Sequence, residues 1–229
     1  MTAKERHGTR PVDPGPADRG IRPRPVRGRT AVESVLRPDY DALHHFGSEL
    51  ANGDRGWVMI TNFVLSGVLT LGFAAGLRRA LPPGRGALAG PLLVALFGLG
   101  LIVAGVFAAD PKPGYPPGTV SVAPTAAGVV HDGNLIPTWI SMTAAMGVIA
   151  YRLAADPGHR RWTWYTVVTA VTSLATLMIA VHRYDDVSGT GTYHGLWQRV
   201  SITIGFTWFG ALAALLLRSR RSEAAGTKE

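Results

Sequence analysis

The stretch Trp57–Leu77, WVMITNFVLSGVLTLGFAAGL, contains no charged residue. At about 1.5 Å of rise per residue, a helical run of about 20 residues spans about 30 Å, the thickness of a bilayer's hydrocarbon core. Four more runs of this kind follow, at about Leu88–Ala109, Leu135–Ala154, Trp162–Val181 and Trp197–Leu217. None carries an Asp, Glu or Lys in its interior. Hydrocarbon offers no water to a free N–H or C=O, so each run must satisfy its own backbone as a helix. The runs are too continuous for barrel strands, which alternate. The sequence therefore predicts an all-α fold, a polytopic transmembrane helical bundle of five spans. Trp57, Trp162, Trp164 and Trp197 fall near span ends, where an interfacial aromatic belt belongs.

The 229-residue chain outside these runs has a different chemistry. Residues 1–56 hold 10 Lys/Arg and 8 Asp/Glu, whereas residues 57–217 hold 9 and 5, nearly all between the apolar runs. Residues 1–38, with the stretch RPRPVRGR at 22–29, have no apolar period and predict an unstructured tail. Residues 39–56 read as an interfacial segment leading into the first span. Residues 39–217 form the bundle, and residues 218–229 a basic tail. The net charge of +8 raises nucleic acid as a partner. Its placement in a Pro-rich tail and in short loops argues instead for topology signals and against that partner. The absence of cysteine removes disulfides and thiolate ligands.

The loops set an orientation. Arg78, Arg79 and Arg85 follow the first span, Arg160 and Arg161 the third, and Arg218, Arg220 and Arg221 the fifth. Short basic loops stay in the cytoplasm, which puts the C-terminus inside and leaves the Arg-rich tail outside, against the same rule. The interiors are rich in small residues: Gly72 and Gly76 in the first span, Gly98, Gly100 and Gly105 in the second, Ser141, Ala144 and Ala145 in the third. These predict close intramolecular packing, with a dimer face as the lesser alternative.

Polar residues gather at the outward rim. Ser48 and Glu49, with His44 and His45, precede the first span. Asp110 ends the second. His131, Asp132 and Asn134 close the long loop before the third, and Asp185 and Asp186 follow the fourth. His194, Gln198 and Arg199 open the fifth. Glu49, Asp110 and His131 are the candidates for acid–base catalysis; Ser48, Asp132, His194, Gln198 and Arg199 are candidates for a binding or structural rim. The alternative is that the rim only caps helices and forms ion pairs. An Asp110–Arg199 ion pair would pin two helices, and His131 could partner Asp110 instead. No spacing selects a metal, and no cofactor is indicated. Membrane lipids are the natural partners, and a lipid-like ligand is the candidate for the rim. Two functions stay open: binding of a lipid or partner, or an embedded enzyme acting on a lipid or isoprenoid.

Three pieces of sequence resemble the domain of unknown function 998 family of bacterial and archaeal membrane proteins. They are YDALHHFGSEL at Tyr40–Leu50, GVFAADP at Gly105–Pro111 followed by Gly128-Val-Val-His131, and GLWQR at Gly195–Arg199 before a span containing Trp208. The resemblance implies a small helical bundle in a cell membrane and singles out Ser48, Glu49, Asp110, His131, Gln198 and Arg199. It implies no reaction. Members usually carry another span before the Ser-Glu-Leu segment. Residues 1–38 offer none, which predicts a five-helix variant of a six-helix bundle.

Overall fold

In a computed structural model of the chain, the residues described are 37, 39–120, 123–185 and 188–226, with side chains up to Arg218. The expected unstructured tail lies outside them apart from Arg37, as does Asp186. Five long helices make up the fold: α1 (Gly56–Ala80), α2 (Ala89–Val106), α3 (Ala126–Leu153), α4 (Arg160–His182) and α5 (His194–Gly226). All five are long and apolar enough to cross a membrane. A 3-10 turn, Gly47–Ala51, precedes α1, and a second, Pro157–His159, leads into α4. Between α4 and α5 a two-residue hairpin pairs β1 (Tyr184–Asp185) with β2 (Thr190–Gly191).

Consecutive helices run antiparallel, and small residues set how closely they approach. A Cβ on Gly98 would lie 3.0 Å from the Gly67 carbonyl oxygen and 3.1 Å from Thr70 Cβ. Gly100 packs against Thr138 in the same way, so α2 is pressed between α1 and α3. Gly72 and Gly76 do not take part. Nothing lies within 4 Å of either Cβ position, so this Gly-x-x-x-Gly is not the intramolecular contact its spacing predicted. Gly67, one turn earlier, makes the contact instead.

Hydroxyls and indoles hold the later helices together, since lipid supplies no hydrophobic force between spans. Ser173 Oγ donates to the Ser201 carbonyl at 3.1 Å, and Ser201 Oγ donates back to the Ser173 carbonyl at 2.7 Å. Trp139 Nε1 of α3 donates to Ser201 Oγ at 2.9 Å, and Trp208 Nε1 donates to Thr166 Oγ1 at 3.2 Å. Around them Phe97, Met142, Met146, Ile149 and Leu177 form a buried core. Trp57 and Trp164, by contrast, are exposed at span ends.

Two boundaries depart from the sequence reading. α3 starts nine residues before the predicted Leu135, so His131, Asp132 and Asn134 belong to its first turns and not to a loop. The apolar run misses this start because a helix N-terminus is polar, and here Thr125 caps it by accepting from Gly128 N. α5 continues through Gly226, making residues 218–226 helical. At the arginine-rich end, Arg152 of α3 donates to the carbonyls of Arg85 and Pro82, both at 2.8 Å, and fixes the α1–α2 loop.

Candidate functional site

The opposite end carries the predicted polar residues in two assemblies around one cavity. The first joins α2 to α3. Asp110 Oδ2 accepts from Thr125 N at 2.8 Å, and Oδ1 accepts from Thr125 Oγ1 at 2.6 Å. The carboxylate thus orders the residue that caps α3. It sits so close to Gly128 that a Cβ there would overlap it, which gives the glycine of the Gly-x-x-His pattern its physical reason. His131 Nδ1 lies 2.8 Å from the Phe107 carbonyl oxygen and 3.1 Å from that of Ala104. Carbonyl oxygens only accept, so Nδ1 carries the hydrogen and ties off the C-terminal carbonyls of α2. Asn134 Nδ2 adds a 2.8 Å bond to the Gly100 carbonyl. This clamp replaces both predicted pairings: Asp110 bonds neither Arg199, whose guanidinium is held in the collar, nor His131, whose Nδ1 is held by the α2 carbonyls.

The second assembly is a collar, residues 39–51, that docks on the start of α5. Gly47 N donates to Gln198 Oε1 at 2.8 Å. Arg199 Nη1 donates to the carbonyls of His45 and Gly195, both at 2.9 Å, and Nη2 donates to Tyr40 Oη. Burial pushes the Tyr40 phenol up to about 12, so it stays protonated at neutral pH. His194 packs its ring against Phe46 and Tyr184, with centroids 4.6 and 5.1 Å away, behind the cavity and not in it. Arg37, assigned by sequence to the unstructured tail, is buried and donates to the carbonyls of Asn52 and Leu50 at 3.0 and 3.2 Å. It knots the collar from beneath.

Between clamp and collar lies a cavity of about 710 Å³. Ser48, Glu49, Asp110, His131, Asp132 and Gln198 all line it, together with Lys112 of the α2–α3 loop, whose Nζ lies 3.4 Å from Asp132 Oδ2. Of the predicted site residues only His194 and Arg199 stand outside the lining. The inner wall is mainly apolar, with Met59 and Phe63 of α1, Leu101 of α2, Trp139 of α3, and Ile202 and Phe206 of α5, interrupted by Asn62 and Ser66 of α1 and Thr138 of α3.

Within this lining Glu49 differs from every other candidate. It is 2% exposed, its Oε1 accepts from Phe46 N at 2.8 Å, and its Oε2 has no hydrogen-bond partner among the described residues. Burial raises its carboxyl to about 7. A neutral Glu49 has an O–H to donate, and an ionised one has an acceptor without a donor. Among the described residues no three His, Asp or Glu side chains gather as a metal ion would require.

Sequence reasoning missed Thr125, Tyr40 and Lys112. Thr125 had a readable signal, a Ser/Thr-type cap before a helix opened by small residues. Tyr40 stood inside a quoted motif but was passed over for the histidines beside it. Lys112 sits in a loop whose path no local pattern gives.

A family model described as "Protein of unknown function (DUF998)" matches residues 29–215. No curated protein and no solved structure matches the chain.

Proposed function

The chain belongs to the domain of unknown function 998 family, and we propose that it holds an amphipathic lipid-like ligand in the cavity between clamp and collar. The ligand's polar end meets Glu49 Oε2, and its apolar part lies against Phe63, Leu101, Trp139 and Phe206. The single observation carrying this reading is the buried Glu49 oxygen, without a partner among the described residues, at the polar end of a cavity whose inner wall is mainly apolar. A buried carboxyl oxygen without a partner costs about 1–3 kcal/mol, which a hydrogen-bonding ligand would recover. By the positive-inside rule the arginine-rich end faces the cytoplasm, so the cavity opens towards the outer leaflet.

The test is to purify the full chain in mild detergent and identify its retained lipids by mass spectrometry. We expect one lipid class enriched over the bulk membrane extract. Filling the cavity with Ile202→Trp should remove that enrichment. A retained profile identical to the bulk extract, unchanged by Ile202→Trp, would overturn the reading.

A second reading, an embedded acid–base enzyme, rests on the Glu49 carboxyl near 7, the range in which one group can give and take a proton. Asp110 is committed to the α3 cap and His131 Nδ1 to carbonyls, so Glu49 is the acid this reading needs. Glu49→Gln separates the two. Loss of ligand enrichment supports binding alone, whereas enrichment retained with a chemically altered lipid population supports catalysis.

A further inference from the structure

Apart from Glu49, the acidic side chains and the lysine on the lining of the cavity between clamp and collar are already bonded. Lys112 Nζ lies 3.4 Å from Asp132 Oδ2, and both Asp110 oxygens accept from Thr125. A phosphate brought there would find no unpaired cation among the described lining residues and would face the Asp110 and Asp132 carboxylates. An ammonium fares no better at Glu49, because Lys112 and Arg199 are the cations that act on this carboxyl. Neither sign of headgroup is complemented. A hydroxyl is complemented whichever state Glu49 takes: its oxygen accepts from a protonated carboxyl, and its O–H donates to an ionised one.

The same cavity has a side towards the bilayer. Each helix packs along its neighbour in the chain, but α1 and α5 do not pack along each other. They meet where Phe73 and Phe209 touch edge-on, with ring centroids 5.4 Å apart. Between that contact and the collar, α1 contributes Asn62 and Ser66 to the lining, and α5 contributes Ile202 and Phe206. Asn62 is exposed and Phe206 is 38% exposed, although both line the cavity. At about 1.5 Å per residue, Ser66 lies about 15 Å and Phe206 about 18 Å along their helices from the collar end. This is hydrocarbon depth, so the gap opens on lipid tails and not on water.

We propose that the occupant is an uncharged lipid alcohol drawn from the bilayer, with its hydroxyl on Glu49 Oε2. The assignment rests on the reading of the cavity as a lipid site and narrows it to one class of head.

The experiment is native mass spectrometry of the full chain purified in detergent and titrated with one lipid at a time. Dioleoylglycerol, dioleoylphosphatidic acid and dioleoylphosphatidylethanolamine share their tails and differ in the head. Geranylgeraniol keeps the hydroxyl on an isoprenoid tail. We expect one of the two alcohols to be retained about tenfold more strongly than either phospholipid, the worth of one well-made hydrogen bond. Preference for dioleoylglycerol assigns a diacyl source and preference for geranylgeraniol an isoprenoid source; either supports the hydroxyl head. Ile202→Trp should abolish retention of every lipid. Glu49→Leu keeps the bulk of the side chain without its oxygens and should bring the alcohol down to the level of the phospholipids. An alcohol preference that survives Glu49→Leu would overturn the contact proposed. Equal or stronger retention of a phospholipid, removed by Ile202→Trp, would overturn the uncharged head and leave the cavity reading standing. Retention of none of the four, or retention that Ile202→Trp does not change, would overturn both. The wild-type comparison decides the class of head even if Glu49→Leu fails to fold.

Discussion

The α2–α3 clamp and the collar sit at one end of the same bundle and are built from similar residues: a carboxylate, an imidazole or guanidinium, and backbone groups. In the clamp both Asp110 oxygens and His131 Nδ1 are taken by Thr125 and the last carbonyls of α2. In the collar Gln198 and Arg199 are taken by backbone oxygens, a backbone N–H and Tyr40, yet Glu49 keeps one oxygen with no partner. The contrast is between residues that look alike in sequence. Polar groups that close on each other hold helices together, whereas the buried Glu49 oxygen has no such partner among the described residues.

The sharpest way to break this contrast is to open the clamp. Gly128→Val should drive a side chain into the Asp110 carboxylate and cost about 3 kcal/mol or more, seen as loss of a monodisperse peak in detergent gel filtration. If the protein stays intact, the clamp is not what joins α2 to α3. Next comes Arg199→Ala, which strands the His45 carbonyl and leaves Tyr40 Oη only its bond to the Phe46 carbonyl. A loss of about 3 kcal/mol is expected, read as a lowered thermal midpoint. Asp110→Ala removes the support of one helix cap and should cost about 2 kcal/mol by the same measurement. A stable Asp110→Ala protein would return Asp110 to the list of functional candidates.

The effect at the open residue is confined to a pH window and vanishes at its acid end. The folded state holds the Glu49 proton up to about pH 7, whereas the unfolded chain releases it near the ordinary carboxyl value of 4.5. The folded state therefore binds more protons between these values. Stability is full below about pH 4.5, falls as pH rises to about 7, and is level above. The wild-type midpoint should drop between pH 5 and 8 by the equivalent of about 2 kcal/mol, and Glu49→Gln should flatten that slope while matching wild type at pH 5. A Glu49→Gln protein that unfolds at every pH would make Glu49 a structural residue like Asp110 and erase the contrast.

Much of this was legible in the sequence. The five spans could be read because a bilayer demands long uncharged runs, and hydropathy reports those directly. Six of the eight predicted rim residues do line one cavity, since alternate spans deliver their ends to the same side. Partnerships were not legible. Asp110 was matched with Arg199 because opposite charges at one depth invite pairing, but an N–H and a hydroxyl of Thr125 stood closer. Gly72 and Gly76 had the right spacing on a face that meets nothing. Spacing gives the face of a helix; which face meets a neighbour depends on how α1 is rotated against α2, and Gly67 on Gly98 sets that.

The docking of the collar on α5 has a consequence for the timing of synthesis. The segment ahead of α1 is made well before its anchors, Gln198 and Arg199. Until the final helix leaves the ribosome, the His45 carbonyl and the Gly47 amide have no partners and Glu49 is unsheltered. A chain stalled after α4 therefore lacks the partners that close the collar, and the polar wall of the cavity forms only once α5 is in place.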